Sequence, residues 1–152
     1  LEKHAVQVAD IIELTSVVHT KKGLVIKSIT DLHGKRVGVL RNAQYSKRFD
    51  EDVQIVKYPV KDYNQSIMML LLGRLDAVIG ESYALYFALE QTGHSPDVLG
   101  PALIVSTNMA KLHLSNKSVS DKKIIALRNA VEKLRSEGYI KATYFKHLKS
   151  AK

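Results

Sequence analysis

The feature that most constrains this chain is the alternation of short apolar runs with helical patterns between residues 36 and 105. The apolar runs are rich in β-branched residues and bounded by polar ones, as buried strands are. Most are followed by a segment that carries helix start and stop signals. Strands that alternate with helices in this way form βαβ units. We therefore predict an α/β fold, a mainly parallel sheet flanked by helices, with strands at 36–40, 53–58, 75–80 and 98–105 and helices at 44–50, 63–72 and 81–93.

Residues outside this block extend the pattern at both ends. The strand at 53–58 is expected to stop at Pro59. Ser120 is expected to cap an amphipathic helix, with Ile124, Ile125, Leu127, Val131 and Leu134 facing inward. The other predicted elements are a strand at 14–20, a helical turn after the Ser28-x-x-Asp31 capping box, a strand at 112–114 and a basic helix at 139–148.

Length and composition restrict the classes of protein that fit. The 152 residues suffice for one core, or for a lobe with an appendage. Cysteine is absent, which excludes disulfides, thiolate nucleophiles and cysteine-based zinc sites. The longest apolar stretch, 67–72, is far shorter than the ~20 residues that span a bilayer. The net charge of +8 favours acidic partners in general but identifies none.

No motif in the sequence indicates catalysis, a metal or a cofactor. The six histidines are scattered without ligand spacing. A nucleophile elbow and a glycine-rich phosphate loop are both absent. The basic residues lie in many segments, and no nucleic-acid recognition motif accompanies them. We therefore predict a protein that is not an enzyme, uses no cofactor or metal, and does not bind nucleic acid.

The candidate site lies at the carboxyl ends of the predicted strands, where open α/β sheets bind their ligands. Glu81 ends one strand and begins a helix, where the helix dipole stabilises an anion that can hold an ammonium group. Plain N-capping explains Glu81 as well. Arg41 and Tyr45 are either contacts in a cleft or surface residues beside a turn. The candidate ligand-binding residues are Arg41, Asn42, Ala43, Gln44, Tyr45, Glu81 and Ser82.

Three segments carry a recognisable series of motifs. They read SITDLHGKRVGV at 28–39, GRLDAVI at 73–79, and ALRNA to GYI at 126–140. In order and spacing they resemble the DLxGKxVGV entry to the second lobe, the GxxDA strand and the closing helix pair of family 3 solute-binding proteins. These proteins are the periplasmic receptors of amino-acid ABC transporters. The resemblance covers about 24–148.

The resemblance implies a lobe of the periplasmic-binding-protein type II fold. In that family a loop after the VGV strand, and an acid five residues beyond the Asp of GxxDA, face the ligand; here they are 41–45 and Glu81. Gln44 and the loop amides would hold the anionic end of a small polar, amino-acid-like ligand. Glu81 would hold its cationic end, and Tyr45 or Tyr83 would form a wall. The family more often has Gly followed by Ser or Thr in this loop, and Asp as the acid.

The resemblance also divides the chain. Residues 1–23 would be a remnant of the first lobe with one crossing strand, 24–110 the second ligand-binding lobe, and 111–152 the return crossing strand with the C-terminal helices. The rest of the first lobe would be missing, so we expect a fragment or a separately expressed lobe. The apolar surface that is left uncovered on the last helices would favour a homodimer.

The leading interpretation is therefore a periplasmic solute-binding protein that captures a small polar ligand and presents it to the membrane permease of an ABC transporter. Two alternatives share the bilobed fold: the effector-binding domain of a LysR-type transcription regulator and the sensor domain of a receptor kinase. A signal peptide would favour the first interpretation, and a helix-turn-helix the LysR type.

Overall fold

The computed structural model describes residues 5–117 and 120–150, with side chains up to residue 146. Its strands are β1 Ala5–Thr20, β2 Arg36–Leu40, β3 Val56–Val60, β4 Ala77–Glu81 and β5 Leu103–Ser115. Its α-helices are α1 Lys47–Asp50, α2 Tyr63–Leu71, α3 Ser82–Gln91, α4 Asp121–Ser136 and α5 Tyr139–Ser150. Two short 3-10 turns lie at Ile29–Leu32 and Pro96–Val98.

The strands form one open sheet in the order β3-β2-β4-β1-β5. β2 runs parallel to both of its neighbours, β3 and β4. β1 runs antiparallel to β4. The sheet is therefore mixed, with a parallel block of three strands, and the predicted α/β fold is confirmed.

The chain divides into two compact units. The larger unit is Thr15–Thr107, and it contains β2, β3 and β4 with α1, α2 and α3. The smaller unit combines Leu1–Leu14 with Asn108–Ala151 and contains α4 and α5. β1 and β5 contribute residues to both units. All of the candidate site residues belong to the larger unit, while the predicted lobe boundaries at 24 and 110 stay a prediction.

Two apolar clusters form the core of the larger unit. Val17 and Val78 belong to one cluster, whereas Val18, Ala77 and Ile79 belong to the other. Successive residues of a strand point to opposite faces of the sheet, so the clusters lie on its two faces. Burial on both faces explains why β4 is continuously apolar rather than alternating.

The strands differ from the predicted ones in three places. β3 starts at Val56 rather than at 53 and continues through Pro59. It is the edge strand of the sheet, where a proline is tolerated because one side of the strand has no neighbour. The strands predicted at 98–105 and 112–114 are wrong as separate elements, since β5 is one long strand that follows a 3-10 turn. β1 begins at Ala5, within a stretch where the sequence mixes helical and strand signals.

The helices of the larger unit follow the predicted signals. Asp62 is the N-cap of α2, and its Oδ1 accepts a hydrogen bond from the Gln65 amide at 2.7 Å. Gly73 follows the end of α2 in the left-handed region, with φ 71°. The helix predicted at 44–50 is shorter, because Ser46 is the N-cap of α1 and accepts from the Phe49 amide at 3.3 Å.

In the smaller unit, α4 has no buried residue. Ser120 occupies its N-cap position without a side-chain capping bond. Ile124 and Val131 are half-buried, but the prediction of an inward face is wrong for three others. Leu127 and Leu134, each 38% exposed, are seven residues apart and share a face of α4 that the described residues of this unit leave open, whereas Ile125, at 54%, lies on the opposite side of the helix.

Candidate functional site

The carboxyl ends of β2 and β4 lie side by side at one edge of the sheet. The two strands are parallel neighbours, and Gly38 is paired with Val78. β2 continues to Leu40 and β4 to Glu81, so the 41–45 loop and Glu81 lie at the same edge of the sheet. The fold thus brings together the two segments that the sequence indicated as a site.

The loop after β2 is a tight turn with exposed side chains. The Ala43 amide donates a hydrogen bond to the Leu40 carbonyl at 3.2 Å, which closes the turn. Asn42 lies in the left-handed region with φ 62°, a conformation that asparagine adopts more readily than most residues with a side chain. Arg41, Asn42, Ala43 and Gln44 are all exposed. A guanidinium and two side-chain amides are therefore accessible at this edge.

Tyr45 is buried beneath this loop, with 7% of its surface exposed. Its phenolic oxygen accepts a hydrogen bond from the Leu40 amide at 3.0 Å, and its ring packs edge-to-face on Phe49. Burial raises the pKa of Tyr45 to about 12, so the phenol is neutral at physiological pH. Tyr45 therefore supports the loop from below, and Tyr83, the other tyrosine predicted as a ligand wall, is 39% exposed.

Glu81 ends β4 and is the N-cap of α3. Its Oε2 accepts a hydrogen bond from the Ala84 amide at 2.9 Å, which confirms the capping role. The side chains of Glu81 and Ser82 are half-buried. The partial positive charge of the helix N-terminus favours a carboxylate here. Capping does not exclude ligand binding, because a carboxylate accepts several hydrogen bonds.

Tyr63, in the first turn of α2, is a residue of this edge that the sequence analysis missed. Its phenolic oxygen accepts a hydrogen bond from the Glu81 amide at 3.3 Å. Its ring lies so close to Gly80 that a Cβ at that glycine would be 2.4 Å from a ring carbon. A signal was present, because Asp62 marks a helix start directly after β3, whose carboxyl end lies at the same edge.

The aspartate of the GRLDAVI segment has a structural role. Asp76 accepts hydrogen bonds from the Arg36 guanidinium at 3.0 and 3.1 Å and from the Arg36 amide at 2.8 Å. The guanidinium also donates to the Gly73 carbonyl at 3.0 Å. The Arg36 side chain lowers the pKa of Asp76, and the pair ties the start of β2 to the turn before β4. This bridge lies at the end of the strands opposite to the candidate site.

Other polar groups of the described residues do not form a second centre of this kind. His33 and Asp52 are hydrogen-bonded at 2.9 Å in an open groove that also carries Lys47 and Arg48. Within residues 5–117 and 120–150, no group of three or more His, Asp or Glu side chains is placed to hold a metal ion. No helix in these ranges is long and apolar enough to cross a membrane.

Comparisons with known proteins find similarity at the level of structure alone. No protein-family model matches the chain. No curated protein matches its sequence. Many solved structures match, and three of them illustrate the similarity.

The GluR0 ligand-binding core in complex with L-glutamate is similar with a TM-score of 0.72 at 17% identity, over 96% of this chain and 64% of that chain. AbpA is an amino acid ABC transporter substrate-binding protein from Streptococcus pneumoniae bound to L-arginine. Its TM-score is 0.70 at 18% identity, over 99% of this chain and 63% of that chain. A mutant of ArgBP from T. maritima has a TM-score of 0.69 at 17% identity, over 93% of this chain and 60% of that chain.

These three neighbours define what the similarity shows. The chain spans 60 to 64% of their lengths. Two of them are bound to an amino acid, GluR0 to L-glutamate and AbpA to L-arginine. At such low identity the likeness establishes the fold. The resemblance seen in the sequence is confirmed at that level: the chain has the fold of a periplasmic-binding-protein type II domain.

Proposed function

We propose that this chain is the second lobe of an extracytoplasmic solute-binding protein that binds a small amino-acid-like ligand for an ABC transporter. The observation that carries the proposal is the juxtaposition of the 41–45 loop with Glu81 at the carboxyl ends of adjacent parallel strands. Gln44, Arg41 and the loop amides suit a carboxylate. The Glu81 carboxylate suits an ammonium group, so a zwitterion matches both sides.

The mechanism we propose is capture without chemistry. In a complete receptor a first lobe supplies the opposite wall of the cleft, and the ligand shifts the two lobes towards a closed state. The permease of the transporter recognises that state at the outer face of the membrane, in the periplasm. The neighbours support this proposal, since AbpA is a transporter substrate-binding protein. They do not favour the LysR-type or receptor-kinase alternatives.

For the chain as it stands, we propose that a second copy covers the open face of α4. Leu127 and Leu134 form the apolar part of this face. Light scattering on a size-exclusion column tests the proposal. A dimer is expected, and Leu127→Lys should shift it towards monomer, whereas a wild-type monomer at all concentrations contradicts the proposal.

Binding is tested by calorimetric titration of the chain with a panel of L-amino acids that includes L-arginine and L-glutamate. We expect millimolar or tighter binding of at least one member. Glu81→Gln should weaken that binding by about tenfold or more, because it removes a charge-assisted hydrogen bond. The matched control is Glu90→Gln, which removes an exposed charge near the other end of α3 and should bind as wild type.

Two results would contradict the proposed function. One is that no amino acid of the panel binds. The other is that Glu81→Gln and Glu90→Gln have equal effects, which would show a general charge effect instead of a contact with Glu81.

A further inference from the structure

Two tyrosine hydroxyls hold the two segments of the candidate site in the same way. The Leu40 amide, at the last residue of β2, donates to the Tyr45 phenolic oxygen at 3.0 Å. The Glu81 amide, at the last residue of β4, donates to the Tyr63 phenolic oxygen at 3.3 Å. Each hydroxyl therefore holds the backbone at the last residue of a strand, next to a site segment.

Both tyrosines are themselves fixed by packing. Tyr45 is buried and lies edge-to-face on Phe49, with ring centroids 5.7 Å apart. Its carbonyl accepts a hydrogen bond from Ser106 Oγ at 2.7 Å, and its amide donates to Asp50 at 3.0 Å. A tyrosine anchored at both its backbone and its ring has little freedom to move away from the Leu40 amide.

Tyr63 is fixed by the close approach of α2 to the sheet. Tyr63 and Ser66 are one helical turn apart, so they lie on the same face of α2. A Cβ at Gly38 would be 2.5 Å from Ser66 Oγ, and a Cβ at Gly80 would be 2.4 Å from a ring carbon of Tyr63. The two glycines thus permit the contact that brings the Tyr63 hydroxyl to the Glu81 amide.

Burial is the main cause that raises the pKa of both tyrosines. Ionisation of Tyr63 would further raise the pKa of Tyr45, and the Glu81 carboxylate further raises that of Tyr63. Both hydroxyls therefore keep their protons at neutral pH and act as neutral acceptors for the strand amides.

We propose that Tyr45 and Tyr63 are paired positioning residues, which fix the 41–45 loop and Glu81 through the Leu40 and Glu81 amides. This inference rests on the proposed function for what the loops bind, but the positioning itself is a property of the free chain. Neither hydroxyl needs to touch a ligand for the pair to set the geometry of the site.

Amide hydrogen exchange in the free chain tests the positioning. The variants are Tyr45→Phe and Tyr63→Phe, with Tyr58→Phe on the exposed edge strand as the control. Each site variant should speed exchange of its own partner amide about three- to tenfold and leave the other amide unchanged, since one hydrogen bond is lost. The control should change neither. Equal acceleration of both amides would show general destabilisation and overturn the proposal, as would no change at all.

A double-mutant cycle of binding affinities tests whether Tyr63 acts through Glu81, with L-arginine and L-glutamate as probes. Tyr63→Phe should lower the affinity for the bound probe about three- to tenfold in the wild-type background and have no effect in Glu81→Gln. Independent, additive effects would overturn action through Glu81. If neither probe binds, the proposed function fails for these ligands, while the exchange result still decides the positioning.

Discussion

Replacement of Gly80 by alanine tests the close packing beneath the site most sharply. An added Cβ would be 2.4, 2.8 and 3.0 Å from the Tyr63 ring carbons and hydroxyl oxygen. The two distances to ring carbons are shorter than real contacts and the third is tighter than most, so the ring must move, and overpacking of this kind costs roughly 1–3 kcal/mol. If the Tyr63 hydroxyl leaves the Glu81 amide, about 1 kcal/mol of hydrogen bonding is lost as well.

Once the Tyr63 ring is removed, Gly80→Ala should raise the free energy of unfolding instead of lowering it. In a Tyr63→Ala background the clashing atoms are absent, and alanine in a strand is favoured over glycine by roughly 0.5–1 kcal/mol. Urea unfolding followed by circular dichroism measures both backgrounds. A cost of about 2 kcal/mol corresponds to a fall of roughly 1 M in the urea midpoint. An equal cost in both backgrounds, or no cost in the wild type, would refute the packing argument.

Three further predictions concern stability, and all use the same urea assay. His19 is 2% exposed, and burial lowers its pKa, so the unfolded state takes up the proton first as the pH falls. The free energy of unfolding should therefore decrease as the pH is lowered from about 6.5. The same dependence on pH in His19→Gln would contradict this. Asp76→Asn should cost about 1 kcal/mol, because it weakens the half-exposed bridge to Arg36, and an unchanged midpoint would contradict the structural role. Asp62→Ala should lower the free energy of unfolding by about 1 kcal/mol, because the cap to the Gln65 amide is lost. Asp62→Asn keeps an accepting side-chain oxygen and should retain most of that stability. Equal losses in the two variants would contradict the capping account.

The elements that the sequence predicts well are those with local signals at their ends. α2 has a capping aspartate before it and a glycine after it, and β4 is apolar because both faces of the sheet are covered. β3 is less predictable, since Pro59 reads as a strand end in the sequence. Only the position of β3 at the edge of the sheet, which depends on the whole topology, makes that proline acceptable.

The sequence predicts where the candidate site lies but not which residues position it. The rule that ligands bind at the carboxyl ends of strands needs only the strand boundaries, so 41–45 and Glu81 can be found from the sequence. The spacing of Tyr45 and Phe49 predicts that they share a face but not that this face is buried. The bond from Glu81 to Tyr63 joins residues from different βα units, and no local pattern encodes it.

The most direct test of the central claim is a map of amide chemical shifts during titration with L-arginine and with L-glutamate. If the carboxyl edge is the binding site, saturable shifts should be confined to 41–46 and 81–84, and Glu81→Gln should move their saturation to about tenfold or more higher ligand concentration. Shifts centred on the groove around His33 and Asp52, or no saturable shift with either amino acid, would contradict the account.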